Sequence, residues 1–191
     1  MKIRVCIMLL CGLSAMAAES AQLFRAIRQS DAKALALLLR QGADPNVRNP
    51  DGTPALMYAA VCADAPTMQV LLAHRADPNV KNAEGATALM WAAGDAEKVK
   101  LLLRSGADIK AKSKLGRSSL IIAAASAGNL ESVRLLLSKG ADPSLADENG
   151  DGPVGSAASS GDVAILRTVL KAGGSAKEGI RSNGVFRASL P

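Results

Sequence analysis

A short string returns along the chain at almost constant spacing: RQGADPN at 40–46, HRADPN at 74–79, RSGADIK at 104–110, SKGADPS at 138–144 and KAGGSAK at 171–177. The equivalent residues Gly42, Arg75, Gly106, Gly140 and Gly173 lie 33, 31, 34 and 33 positions apart. A period near 33 is the mark of a repeat array, in which successive copies stack around a shared core. Five units are expected, at 19–49, 50–82, 83–113, 114–147 and 148–175, which together make 19–175 one repeat domain.

Each string follows an apolar doublet: Leu38-Leu39, Leu71-Leu72, Leu102-Leu103, Leu136-Leu137 or Val169-Leu170. The doublet is predicted to close the second helix of its unit. The glycine behind it is predicted to end that helix in the left-handed region, which glycine enters without a steric cost. Arg75 stands in the same slot and breaks the rule. Hydrophobic residues make up 49% of the chain but aromatic residues only 2%, so the core must consist of Ala, Leu, Val and Ile, which suit closely stacked helices. Strand formers are sparse beside Ala and Leu, and an all-α fold is predicted.

Upstream of four doublets lies a second motif: PALMYAA from Pro54, TALMWAA from Thr87, SSLIIAA from Ser118 and GPVGSAA from Gly152. Here the chain resembles the ankyrin repeat, whose signature is T-P-L-H-x-A. Thr or Ser in first place is expected to cap a helix, and the Ala pair lets a neighbouring helix approach closely. The family histidine is replaced by Phe24, Met57, Met90, Ile121 or Gly155. Asp51-Gly52, Glu84-Gly85, Leu115-Gly116 and Asn149-Gly150 mark tight hairpin turns between units. The resemblance covers about 19–175 and implies a solenoid of five helix-turn-helix repeats with short hairpin loops. Repeat three is shortened between its helices, with only Gly94 to Lys98 separating Ala93 from Val99. Repeat four carries one extra residue near 123–128. The tail 176–191, with Val185, Phe186 and Leu190, is either an irregular cap or disordered.

The first residues follow another logic. Lys2 and Arg4 precede an apolar run from Val5 to Leu13, and Ala15 and Ala17 then form an A-x-A pair. That layout predicts a signal peptide over 1–18, cut after Ala17 or Ala18. The run is shorter than the roughly 20 residues of a membrane-spanning helix, and Cys11 lacks the small preceding residue of a lipid-attachment site. No later segment is predicted to span a membrane. Removing the leader takes Lys2 and Arg4 and lowers the net charge from +6 to +4. Cys6 and Cys11 leave with it, so Cys62 remains without an internal disulfide partner. The expected location is the periplasm or the medium.

The resemblance places a binding surface on the hairpin tips and the concave side of the first helices. The register position before the Ala pair holds Arg25, Tyr58, Trp91, Ile122 and Ser156, a row with the chain's only Tyr and only Trp. Aromatic and Arg side chains anchor protein interfaces because they bury large area with few rotamers to freeze; the alternative is that Tyr58 and Trp91 pack as core between repeats. On the hairpins, Arg48, Lys81 and Lys112 share one position, and Arg117 stands at another beside Thr53, Ala86 and Asp151. This basic edge would steer an acidic partner, or it is ordinary solvated surface.

Other chemistries find little to use. His74 has no Cys or Ser partner suggested by spacing, and Cys62 reads as a small apolar filler. One His and one remaining Cys do not make a metal site, and no cofactor is expected. Asp44, Asp77, Asp108 and Asp142 recur with the period and read as turn residues. Basic and acidic residues are interspersed and stacking rings are few, which argues against nucleic acid. The expected function is therefore non-catalytic binding of a protein partner by a monomer. The alternative is a structural spacer, or the front part of a longer exported protein whose activity lies elsewhere.

Overall fold

The computed structural model describes residues 18–175. The predicted leader, apart from Ala18, and the tail 176–191 lie outside the described residues. Within them the chain is all-α, as its composition predicts, with a lone bridge between Arg48 and Pro54 as its extended pairing.

Ten helices follow in order among the described residues: α1 over 18–28, α2 Ala32–Arg40, α3 Ala55–Cys62, α4 Ala65–Ala73, α5 Ala88–Trp91, α6 Ala96–Arg104, α7 Ser119–Ala124, α8 Leu130–Ser138, α9 Pro153–Ser160 and α10 Val163–Lys171. The chain forms two compact units that divide between Asp77 and Pro78. In the first, α4 packs on α2 and α3 around Leu23, Ile27, Leu35, Met57, Met68 and Leu71. In the second, α5, α7 and α9 pack in succession, as do α6, α8 and α10, around Leu89, Met90, Leu102, Leu120, Ile121 and Leu136.

The second helix of every pair ends as its doublet and glycine predict. Gly42, Gly106, Gly140 and Gly173 have φ of 108°, 87°, 91° and 97°. The following amide returns to the carbonyl five residues back, as Ala43 does to Leu38 at 3.1 Å and Ala107 to Leu102 at 3.0 Å. This satisfies carbonyls that the helix end would otherwise leave open. Arg75 does the same work at φ 67°, with Ala76 N–H on the Leu71 carbonyl at 3.0 Å. An L side chain there crowds its own backbone, so Arg75→Gly is expected to stabilise the protein by about 1 kcal/mol. Urea unfolding checks this through the shift of its midpoint; a shift to lower urea would contradict the strain argument.

Helix starts depart from expectation. Of the residues opening the second motif, only Ser118 caps, its Oγ accepting from Ile121 N–H at 3.3 Å. Thr87 makes no cap, and its Oγ1 is buried without a hydrogen-bond partner. Pro54 and Gly152 have no side-chain oxygen to offer. The caps instead sit on the second helices, where Asp31, Asp64, Asp95 and Asp162 accept from amides of the first turn at 2.9–3.2 Å. In α8 the equivalent Asn129 gives no such bond; its Nδ2 donates to the Ala123 carbonyl at 3.3 Å. The shortened loop of repeat three also shows its cost. α5 keeps only four residues, and Ala92 and Ala93 fall into the turn that leads to Asp95.

Candidate functional site

The hairpins are built by one recurring side chain each. Asn49 Oδ1 accepts from Thr53 N–H at 2.8 Å, Asn82 Oδ1 from Ala86 N–H at 2.9 Å, Ser113 Oγ from Arg117 N–H at 3.2 Å and Asp147 Oδ1 from Asp151 N–H at 3.0 Å. Each bond closes its loop on itself, which fixes where the flanking residues stand.

In the first unit a cleft of about 490 Å³ opens between α1, the first hairpin and α3. Ser20, Ala21 and Phe24 of α1, residues 48–51 of the hairpin and Tyr58 of α3 line it. Phe24 and Tyr58 meet edge to face, their centroids 5.4 Å apart and their planes at 82°. That geometry sets the positive edge of one ring against the face of the other and holds both in place. Arg48 Nη1 donates to the Gly52 carbonyl at 2.8 Å within its own hairpin, and Arg48 and Asp51 both line the cleft. Tyr58 and Arg48, predicted from two different rows, thus line one cavity. Arg25 is exposed on α1 and is not among the residues that line it.

In the second unit Trp91, Ile122 and Ser156 stand at equivalent positions on α5, α7 and α9, which pack one on the next. Trp91 is 38% exposed, whereas Ile122 and Ser156 are half-buried. On the hairpin side, Lys81 Nζ donates to the Lys112 carbonyl at 3.4 Å, tying two loops together. Arg117 Nε lies 4.0 Å from Oδ2 of Asp147, whose side chain is almost fully buried. Leu115, 56% exposed in its hairpin, was read from the sequence only as a turn residue before Gly116.

The turn aspartates act as expected of the repeat. Asp44, Asp108 and Asp142 accept from the amides of Asn46, Lys110 and Ser144 at 2.8–2.9 Å. The Ser144 hydroxyl, then its amide, hold the Asp142 carboxyl below the usual carboxylate range. Asp162 is lowered too, first by the Gly128 N–H at 3.0 Å and then by that of Ile165. Sequence reasoning missed Asn46 and Asn79. Asn46 Oδ1 accepts from Asp77 N–H at 2.8 Å, and Asn79 Oδ1 from Asp108 N–H at 2.7 Å. Each joins its turn to the next, and the signal was the Asn shared by the first two DPN strings.

Reactive groups are few and engaged. His74 Nδ1 donates to the Val70 carbonyl at 2.9 Å, and Cys62 Sγ donates to the Tyr58 carbonyl at 3.0 Å. Among the described residues no group of three His, Cys, Asp or Glu could hold a metal ion, and no helix is long and apolar enough to cross a membrane.

Paired helices with this period and these hairpins can be compared with known families. The profile for ankyrin repeats, three copies, matches residues 23–113 and again 93–181, well over half of the chain. The chain belongs to the ankyrin-repeat family. Curated proteins give no significant match. Ankyrin repeats are generally protein–protein interaction modules, and ankyrin-repeat domains are typically non-catalytic. On the first helices of this ankyrin chain, Phe24 and Tyr58 line the cleft of the first unit, and Val61 and Trp91 are exposed, at 62% and 38%.

Proposed function

We propose that the protein is an exported, monomeric, non-catalytic binding module that holds a protein partner on its first helices and hairpin tips. In the first unit the contact residues are Arg25, Arg48 and Tyr58; in the second they are Trp91, Ile122, Ser156, Lys81, Lys112 and Arg117. The observation that carries this reading is the cleft lined by Phe24, Arg48, Asp51 and Tyr58, where two rings in edge-to-face contact stand beside a cation. Pre-ordered aromatic and Arg groups lose little entropy on contact, which is why such clusters dominate interface energies. Export rests on the leader pattern of 1–18.

The test is a pull-down from the exported fraction with residues 19–191, followed by affinity measurement on the captured protein. Tyr58→Ala with Trp91→Ala should weaken capture more than about tenfold while the circular dichroism of the helices is unchanged. Undiminished capture by that folded double variant would remove the first helices as the binding face.

A further inference from the structure

A second groove, of about 450 Å³, lies on the other helix of each pair, between α6 and α8 of the second unit. Its apolar lining comes from Leu103, Ala107, Ile109 and Leu135, all half-buried. Lys100, Arg104 and Lys139 stand around it, and no acidic residue lines it. Lys100 reaches Glu97 at 3.8 Å, an exposed pair of little energetic consequence. Arg104 and Lys139 join no ion pair among the described residues.

The charge extends beyond the groove with the period of the fold. Lys100, Arg134 and Arg167 each fall six positions before the glycine that ends their helix, and all three are exposed. The same slot in the first unit holds Ala36 and Gln69, so the basic row belongs to the second unit. Leu170 of α10, at the register position of Leu103, is 44% exposed and continues the apolar line. Each of α6, α8 and α10 thus carries an exposed cation in the slot of Lys100, and Glu97 and Glu131 stand a turn earlier on α6 and α8.

We infer that this face is a second docking surface, distinct from the first helices, and that its occupant is an acidic amphipathic polypeptide segment. An anionic side chain meets Arg104 or Lys139 at the rim, and an apolar one enters between Leu103 and Leu135. Charge complementarity sets the sign of the partner, and the apolar lining sets its amphipathic character. A flat anionic membrane would reach the rim cations and leave the groove unfilled. Nucleic acid would find no aromatic platform among the groove residues.

The experiment uses the chain from residue 19 onward and a fluorescein-labelled helical peptide of leucine on one face and glutamate on the other. Anisotropy should report saturable binding that weakens at least about tenfold in Arg104→Glu/Lys139→Glu, and that also weakens as salt rises. Both substituted residues are exposed, so the fold should persist, and circular dichroism confirms it. The Tyr58→Ala/Trp91→Ala variant should bind the peptide unchanged, which separates this surface from the first-helix face. Replacing the peptide leucines by serine should weaken binding. The inference is overturned if the peptide does not bind, or if charge reversal leaves its affinity intact. It is equally overturned if phosphatidylglycerol vesicles or duplex DNA bind more tightly than the peptide through the same two cations.

Discussion

Leu136→Ala is expected to destabilise the protein by about 3 kcal/mol, within the range of roughly 2–5 kcal/mol for emptying a packed leucine site. Leu136 is fully buried on α8, the helix that packs on α6, α7 and α10 at once. Because helices on several sides meet there, no single one can move in to fill the space without opening a gap elsewhere, and the cavity term stays large. Repeat proteins share stability between neighbours, so amide exchange should rise in α6 and α10 as well as in α8. Urea unfolding followed by circular dichroism gives the magnitude. A loss below about 1 kcal/mol would mean that α8 is not the centre of the second unit's core.

Gly116→Ala is expected to cost about 2 kcal/mol, and Gly52→Ala about half of that. Both glycines turn a hairpin at positive φ, 74° for Gly116 and 77° for Gly52, so the backbone strain of adding a Cβ is the same. Their surroundings differ. A Cβ on Gly52 meets nothing within 4 Å, whereas one on Gly116 comes within 3.2 Å of Asp147 Cα and Glu148 N. There the next hairpin lies close, with Glu148 N–H on the Leu115 carbonyl at 3.0 Å and Arg117 beside the buried Asp147 carboxylate. Neither backbone contact can swing aside as a side-chain end would, so the hairpins must separate. Equal melting temperatures for the two variants would show that the hairpins do not press on one another.

Much of the architecture was legible because it repeats. Five helix ends at a spacing near 33 leave no freedom in where the pairs close, and Arg75 at φ 67° shows that the register overrides residue preference. The same regularity misled at the helix starts. Thr87 occupies the slot of a capping residue, yet its hydroxyl is buried among packed helices and bonds to nothing. The aspartates that do cap, Asp31, Asp64, Asp95 and Asp162, lie in the variable loops where no family signature draws attention.

At the candidate site the register picked out Tyr58, Arg48 and Trp91 but not how they are held. Phe24 was read only as a substitute for a histidine, although its ring sets the pose of Tyr58. Arg117 was read as part of a basic hairpin edge open to a partner, and the sequence did not show that Asp147 stands beside it. The basic groove of α6 and α8 went unnoticed, because Lys100, Arg104 and Lys139 belong to different helices and form no motif in the chain.

Sequence alone determined the all-α class, the number of helix pairs, the left-handed helix ends and the hairpin turns, since each follows from local backbone preference repeated at a fixed period. Tertiary structure decided which rings touch, which cations have carboxylates beside them and where the two clefts open. Those outcomes depend on side chains far apart in the chain whose distances are set only when helices pack, and no local preference encodes them.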